Sequence, residues 1–126
     1  MGQGYLVDTN TIIDYLENKL PEKSNKLIDE IIIQFSVISR IELLVWKKAT
    51  EDQVKILNEF VSSSTVFDLN ESIILKSIEI RKNYRLKLPD AIIAATAAVN
   101  NLPLLTRNTG DFEKVIQIKC IDPYHL

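Results

Sequence analysis

The chain has 126 residues, 46% of them hydrophobic and 25% charged, which suits one globular domain over 1–126 with a single hydrophobic core. Its 15 Lys and Arg against 17 Asp and Glu leave a net charge of −2. No overall positive field therefore draws it to nucleic acid, and any such binding must rest on a local patch. Cys120 is the single cysteine, which excludes an internal disulfide and fits a reducing cytoplasm.

The start, Met1-Gly2-Gln3-Gly4, lacks the basic stretch and apolar core of a signal peptide. Tyr5-Leu6-Val7 is a short apolar run broken at once by polar residues, as expected of a buried parallel strand. A helix is predicted over Thr11 to Glu17, stopped near Pro21. Another is predicted over Glu22 to Ile33, where Leu27, Ile28, Ile31 and Ile32 recur at helical spacing. Phe35 to Ile38 reads as the second strand, and Arg40 to Ala49 as a helix. Thr50-Glu51-Asp52-Gln53 matches a capping box opening a further helix. Val66-Phe67 is a short strand, and Asn70 caps a helix over Glu71 to Asn83. Pro89 suits the first position of a helix running to Asn100. Leu104 to Thr106 and Val115 to Ile118 complete the strands. The longest apolar run, Ala91 to Val99, is too short to span a bilayer, and no membrane partner is expected. Alternating strands and helices predict an α/β fold with a mainly parallel central sheet flanked by helices.

Asp8, Glu42, Asp90 and Asp111 each fall where one of these strands gives way to a loop or helix. In an open parallel sheet the carboxyl ends of the strands share one edge, and ligands bind there. Clustered carboxylates cannot all stay ionised unless a cation compensates them. A hard divalent ion suits such an all-oxygen set. Each acid also has a plainer role open to it. Helix N-termini favour carboxylates, and Ser39 to Glu42 fits a capping box. Asp90 lies in a first helical turn, and Asp111 suits a turn before Phe112.

Arg81, Lys82, Arg85 and Lys87 place four cations in seven residues leading toward Asp90. They read either as a phosphate contact strip or as a solvated helix end favoured by the dipole. Arg40 and Arg107, each near a site acid, are candidates to touch phosphate or to pair with the acids. His125 is the only histidine and lies near the end of the chain, which argues against serine- and cysteine-type hydrolases. Glycines at 2, 4 and 110 alone form neither a P-loop nor a dinucleotide fingerprint. The alanines at 91, 94, 95, 97 and 98 suit close packing of their helix. Ile41, Leu43, Leu44, Val45 and Trp46 give the predicted 40–49 helix more apolar surface than one stripe needs, so it is buried on two sides or meets a partner.

Asp8-Thr9-Asn10, Glu42, Pro89-Asp90-Ala91-Ile92-Ile93-Ala94-Ala95 and Thr106-Arg107-Asn108-Thr109-Gly110-Asp111-Phe112 together resemble the PIN-domain ribonucleases. They are most similar to the VapC toxins of toxin–antitoxin pairs, in order and over nearly the whole chain. No single motif is specific, but the ordered set is. The resemblance implies an endoribonuclease whose acidic cluster, Asp8, Glu42, Asp90 and Asp111, holds Mg2+ or Mn2+, with Asn10 and Thr106 as supporting polar residues. It implies RNA as substrate and a small antitoxin protein as partner; Trp46 and Leu43, on the apolar 40–49 helix, are candidate contacts for that partner or for a second copy of the chain in a homodimer. Two rivals stand beside it. A haloacid-dehalogenase-type phosphatase also uses an Asp after its first strand, but needs a second Asp where this chain has Asn10. A non-catalytic relative would bind RNA or protein without cutting.

Overall fold

The computed structural model describes residues 4–126; Met1, Gly2 and Gln3, which carry the expectation of no leader, lie outside them. The strands form two parallel sheets, of three and two strands, where one central sheet was expected. β1 (Leu6–Val7), β4 (Leu104–Leu105) and β5 (Cys120–Ile121) pair in the order β1-β4-β5. β2 (Gln34–Ser36) pairs with β3 (Thr65–Phe67), and β2 packs beside β1. Gln34 Nε2 donates to the Tyr5 carbonyl across that gap, at 3.4 Å.

Strand geometry explains the two apolar cores. Successive side chains of a strand point to opposite faces. Leu6 and Leu104 enter one cluster with Ile73, Ile80, Ile93 and Phe112, whereas Val7 and Leu105 enter another with Ile12, Ile28, Phe35 and Leu43. The sheet is thus covered on both faces, the usual condition of a parallel sheet. On the first face, α5 (Glu71–Asn83) packs on α6 (Leu88–Val99). Ala91, Ala94, Ala95 and Ala97 are fully buried there, so small side chains permit the close approach. Ser77 and Thr96 meet their burial by donating to the carbonyls of Ile73 and Ile92, both at 2.7 Å. The second face carries α1 (Thr9–Leu16), α2 (Glu22–Glu30), α3 (Val37–Leu44) and α4 (Glu51–Ser62). A short α7 (Thr109–Phe112) and a 3-10 turn, Pro123–His125, complete the chain. Among the described residues no helix is long and apolar enough to cross a membrane.

Several boundaries differ from expectation, each for a local reason. Val115 to Ile118 is not a strand. Val115 is buried, but Ile116 is 85% exposed, and the ladder partner of β4 comes later, where Leu104 N–H donates to the Lys119 carbonyl at 2.8 Å. The second helix ends at Glu30, because Ile31 is extended and leads into β2; Ile32 is left exposed. The predicted 40–49 helix begins earlier, at Val37, because Ser36 caps it by accepting from Ile38 N–H at 3.0 Å. It stops at Leu44, so the second strand loses Val37 and Ile38 to the helix, and Trp46 lies beyond the helix altogether. Pro89 is the second residue of α6, not the first. The Thr50 capping box and the Asn70 cap form as expected.

Candidate functional site

Asp8 follows β1 and is the N-cap of α1, so the end of a fully buried strand sets its position. Its amide donates to the Leu105 carbonyl (2.9 Å), which locks it beside β4. Its Oδ1 accepts from Thr9 N–H (2.8 Å), and its Oδ2 accepts from Thr106 Oγ1 (2.8 Å) and Asn10 Nδ2 (3.3 Å). The plain capping role therefore holds for one carboxylate oxygen only. The other faces a polar group built by the end of β4, so Asn10 and Thr106 do stand beside Asp8.

Glu42 reaches the same region from α3. The capping-box reading of Ser39 and Glu42 fails, since the cap is Ser36 and Glu42 sits near the far end of the helix. Instead Thr9 Oγ1 donates to Glu42 Oε1 (2.6 Å) and lies 2.9 Å from Ser39 Oγ. Asp90 does not follow a strand as expected: it comes after α5, in the first turn of α6, where the helix dipole favours a carboxylate. Asp111 lies in α7 and accepts from Asn108 Nδ2 at 3.1 Å, while Asn108 N–H donates to Thr106 Oγ1 at 3.0 Å. Thr106 thus links the Asp8 side of the site to the loop that carries Asp111.

The acids act on one another electrostatically. Burial raises the Asp8 carboxyl above its ordinary value; the hydrogen bonds from Thr106 and Thr9 oppose this, and the charges of Asp90 and Glu42 add to it. Burial likewise raises Asp90, with Glu42 and Asp111 adding to the effect and Lys87 opposing it. Each of the four therefore enters the field of at least one other. They do not form a closed coordination sphere: among the described residues no three Asp, Glu, His or Cys side chains converge closely enough to ligate one ion as they stand.

The basic run is exposed. Arg81 and Lys82 end α5 beside an apolar groove of about 500 Å³ lined by Leu69, Ile74, Ile78 and Leu88, and Lys87 is the residue before α6. Arg40 is exposed on α3. Trp46 is 41% exposed and lines a second groove, of about 270 Å³, with Ile13, Leu16, Leu57 and Glu42. Leu43, expected as a partner contact, is 2% exposed and belongs to the core, because it lies on the buried side of α3 while Ile41, Glu42 and Leu44 are exposed; it also lines the groove at Trp46.

Sequence reasoning missed Thr9 and Ser36, and gave Ser39 the capping role that Ser36 takes. It also missed Asp14. That side chain is 4% exposed, and its Oδ2 accepts from Arg107 Nη1 (3.0 Å) and Tyr124 Oη (2.8 Å). Arg107 thus pairs with an acid outside the expected four. The readable signal was an acid one helical turn beyond Asn10, on a helix with few polar reasons to bury one.

The fold and the site define an α/β protein with an acidic centre at the carboxyl edge of a parallel sheet. The chain belongs to the PIN domain family, whose model matches residues 5–117. It is 28% identical over 129 residues to Ribonuclease VapC of Rickettsia bellii (strain RML369-C), covering 94% of this chain and 95% of that one. It is also similar to a chain of the toxin-antitoxin complex from Klebsiella pneumoniae, at 32% identity and TM-score 0.79, covering 98% of this chain and 100% of that one. A chain of the DNA-bound VapBC from Salmonella typhimurium superposes with TM-score 0.83 at 26% identity, covering 97% of this chain and 98% of that one.

Proposed function

We propose that this protein is a metal-dependent endoribonuclease and the toxin of a type II toxin–antitoxin pair, acting in the cytoplasm. The observation that carries the reading is Asp8. It is 5% exposed, held on both oxygens, and raised by burial and by the charges of Asp90 and Glu42. A purely structural cap gives no reason to crowd such a group with other acids. Membership of the PIN family, and likeness to a ribonuclease and to chains of toxin–antitoxin complexes, support the same reading.

Asp8, Glu42, Asp90 and Asp111 offer only oxygen donors and excess negative charge, which fits Mg2+ or Mn2+ over softer metals. Asp8 and Asp90 would hold it directly. When bound, the cation supplies the positive charge that activates water and offsets charge on the leaving oxygen. Thr106, Asn10 and Thr9 keep the Asp8 oxygens oriented, and Thr9 also orients Glu42. Arg81, Lys82, Arg85 and Lys87, with Arg40, supply backbone contacts that position RNA without specifying its bases. The groove at Trp46 is the contact for the antitoxin. The phosphatase alternative gains nothing here, since Asn10 spends its amide on Asp8 where that class needs a carboxylate.

The test is cleavage of single-stranded RNA by purified protein with Mg2+, with Mn2+ and with EDTA, beside the Asp8→Asn variant. Cleavage that requires the divalent ion and Asp8, and that the cognate antitoxin suppresses, is expected. RNA bound equally well in EDTA and never cut would make the chain a non-catalytic relative.

A further inference from the structure

We propose that Asp14 is a positioning residue that captures the Arg107 guanidinium and keeps it out of the carboxylate centre. This rests on the metal-site reading above. Arg107 directly follows Thr106, whose hydroxyl touches Asp8. Its own peptide N–H donates to Asn10 Oδ1 at 3.2 Å, and the same Asn10 donates to Asp8. The Arg107 backbone is therefore pinned beside the acids. A guanidinium on a long stem in that position is a natural partner for them, because arginine binds carboxylates strongly and often with two hydrogen bonds. Lodged there, it would occupy the oxygens and neutralise the charge that a divalent ion requires.

The side chain instead turns back along α1. Asn10 and Asp14 are one turn apart on that helix and so share a face. Asn10 takes the Arg107 amide and Asp14 takes its guanidinium, at 3.0 Å. Asp14 is placed for this by Tyr124, whose hydroxyl donates to the same Oδ2 at 2.8 Å from the 3-10 turn near the chain's end. With its carboxylate 4% exposed, Asp14 meets little competition from water, whereas the Arg107 side chain is 55% exposed and free to reorient once released.

The experiment is calorimetric titration of Mn2+ into wild type, Asp14→Asn, and the double variant Asp14→Asn/Arg107→Gln, with a melting curve for each. Release of Arg107 in Asp14→Asn should weaken Mn2+ binding by about tenfold, the scale of a unit charge brought within a few ångströms of a divalent ion in water-like surroundings. Removing the guanidinium as well should restore binding to within about twofold of wild type by the same electrostatic reasoning. Asp14→Ser serves if Asp14→Asn does not fold. Wild-type affinity in the single variant overturns the proposal, and so does equal weakness in the single and double variants, which would make Asp14 a support of the fold alone. If wild type itself binds no Mn2+, the metal-site reading fails and this inference with it. A loss confined to the comparison between variants leaves that reading standing.

Discussion

Thr106 Oγ1 donates to Asp8 Oδ2 at 2.8 Å, joining residues 98 positions apart at the adjacent ends of β4 and β1. The register Val7↔Leu105 brings the residues after the two strand ends side by side, which places Thr106 within reach of Asp8. Both residues are buried, so the hydroxyl is the main counterweight to the desolvation of the carboxylate. Thr106→Val keeps the shape and removes the donor. It should cost about 1.5–3 kcal/mol of unfolding free energy, the range for a hydrogen bond to a charged group, and should lower cleavage. Urea denaturation checks it, and an unchanged midpoint would show that water replaces the hydroxyl.

Asp8→Asn should abolish RNA cleavage while the protein stays folded, because the amide keeps the shape and loses the charge. In EDTA the variant should melt at or above the wild-type temperature, since one of several mutually repelling groups is gone. Cleavage at the wild-type rate with Mg2+ present would refute the assignment of Asp8.

The raised carboxyls of Asp8 and Asp90 set a pH dependence. In each, the folded state holds its proton to higher pH than the unfolded chain does. The native state thus binds more protons in the window just above the ordinary carboxylate pKa of about 4, and stability falls as pH rises through it. Metal-free protein should lose melting temperature across that window, and Asp8→Asn should flatten the slope. Thermal scans in EDTA at stepped pH measure it; a slope identical in the variant would assign the effect to other groups.

Changing Arg81, Lys82, Arg85 and Lys87 together to Ser should weaken RNA binding across sequences. Every cation that no longer meets a phosphate of the single strand should reduce the log–log salt slope by about 0.7. Base preference should survive. Fluorescence titrations at several salt concentrations decide it, and an unaltered slope returns the run to a solvated helix end.

Trp46→Ala should weaken binding of the cognate antitoxin by at least about 1 kcal/mol, the threshold for a contributing interface residue. The side chain is half-exposed and lies outside any helix, lining a groove that includes Glu42. Cleavage by the free protein should change far less. Calorimetry with the antitoxin is the measurement, and native affinity in the folded variant would rule the groove out as its seat.

The α/β class, the doubly buried strands at Leu6–Val7 and Leu104–Leu105, the Thr50 and Asn70 caps and the packing role of the α6 alanines were legible in the chain by itself. Those features rest on short-range periodicity and capping chemistry, which local sequence carries. Asp8 was legible as the residue that follows a buried strand, whereas Glu42, Asp90 and Asp111 lie within α3, α6 and α7 and not at strand ends. What only the tertiary structure decided is how they are held and which neighbours they meet. Ser36, not Ser39, caps α3, and that shift of one helical turn moves Glu42 from a capping role to a hydrogen bond with Thr9, and Leu43 from surface to core. The last strand forms at Cys120 and not at Val115, because ladder register is set by β4 and not by local hydrophobicity. Asp14 finds Arg107 and Tyr124 from 93 and 110 positions away. Hydrogen bonds between distant segments leave no periodic trace along the chain, so only the folded arrangement of strand ends and helix starts determines them.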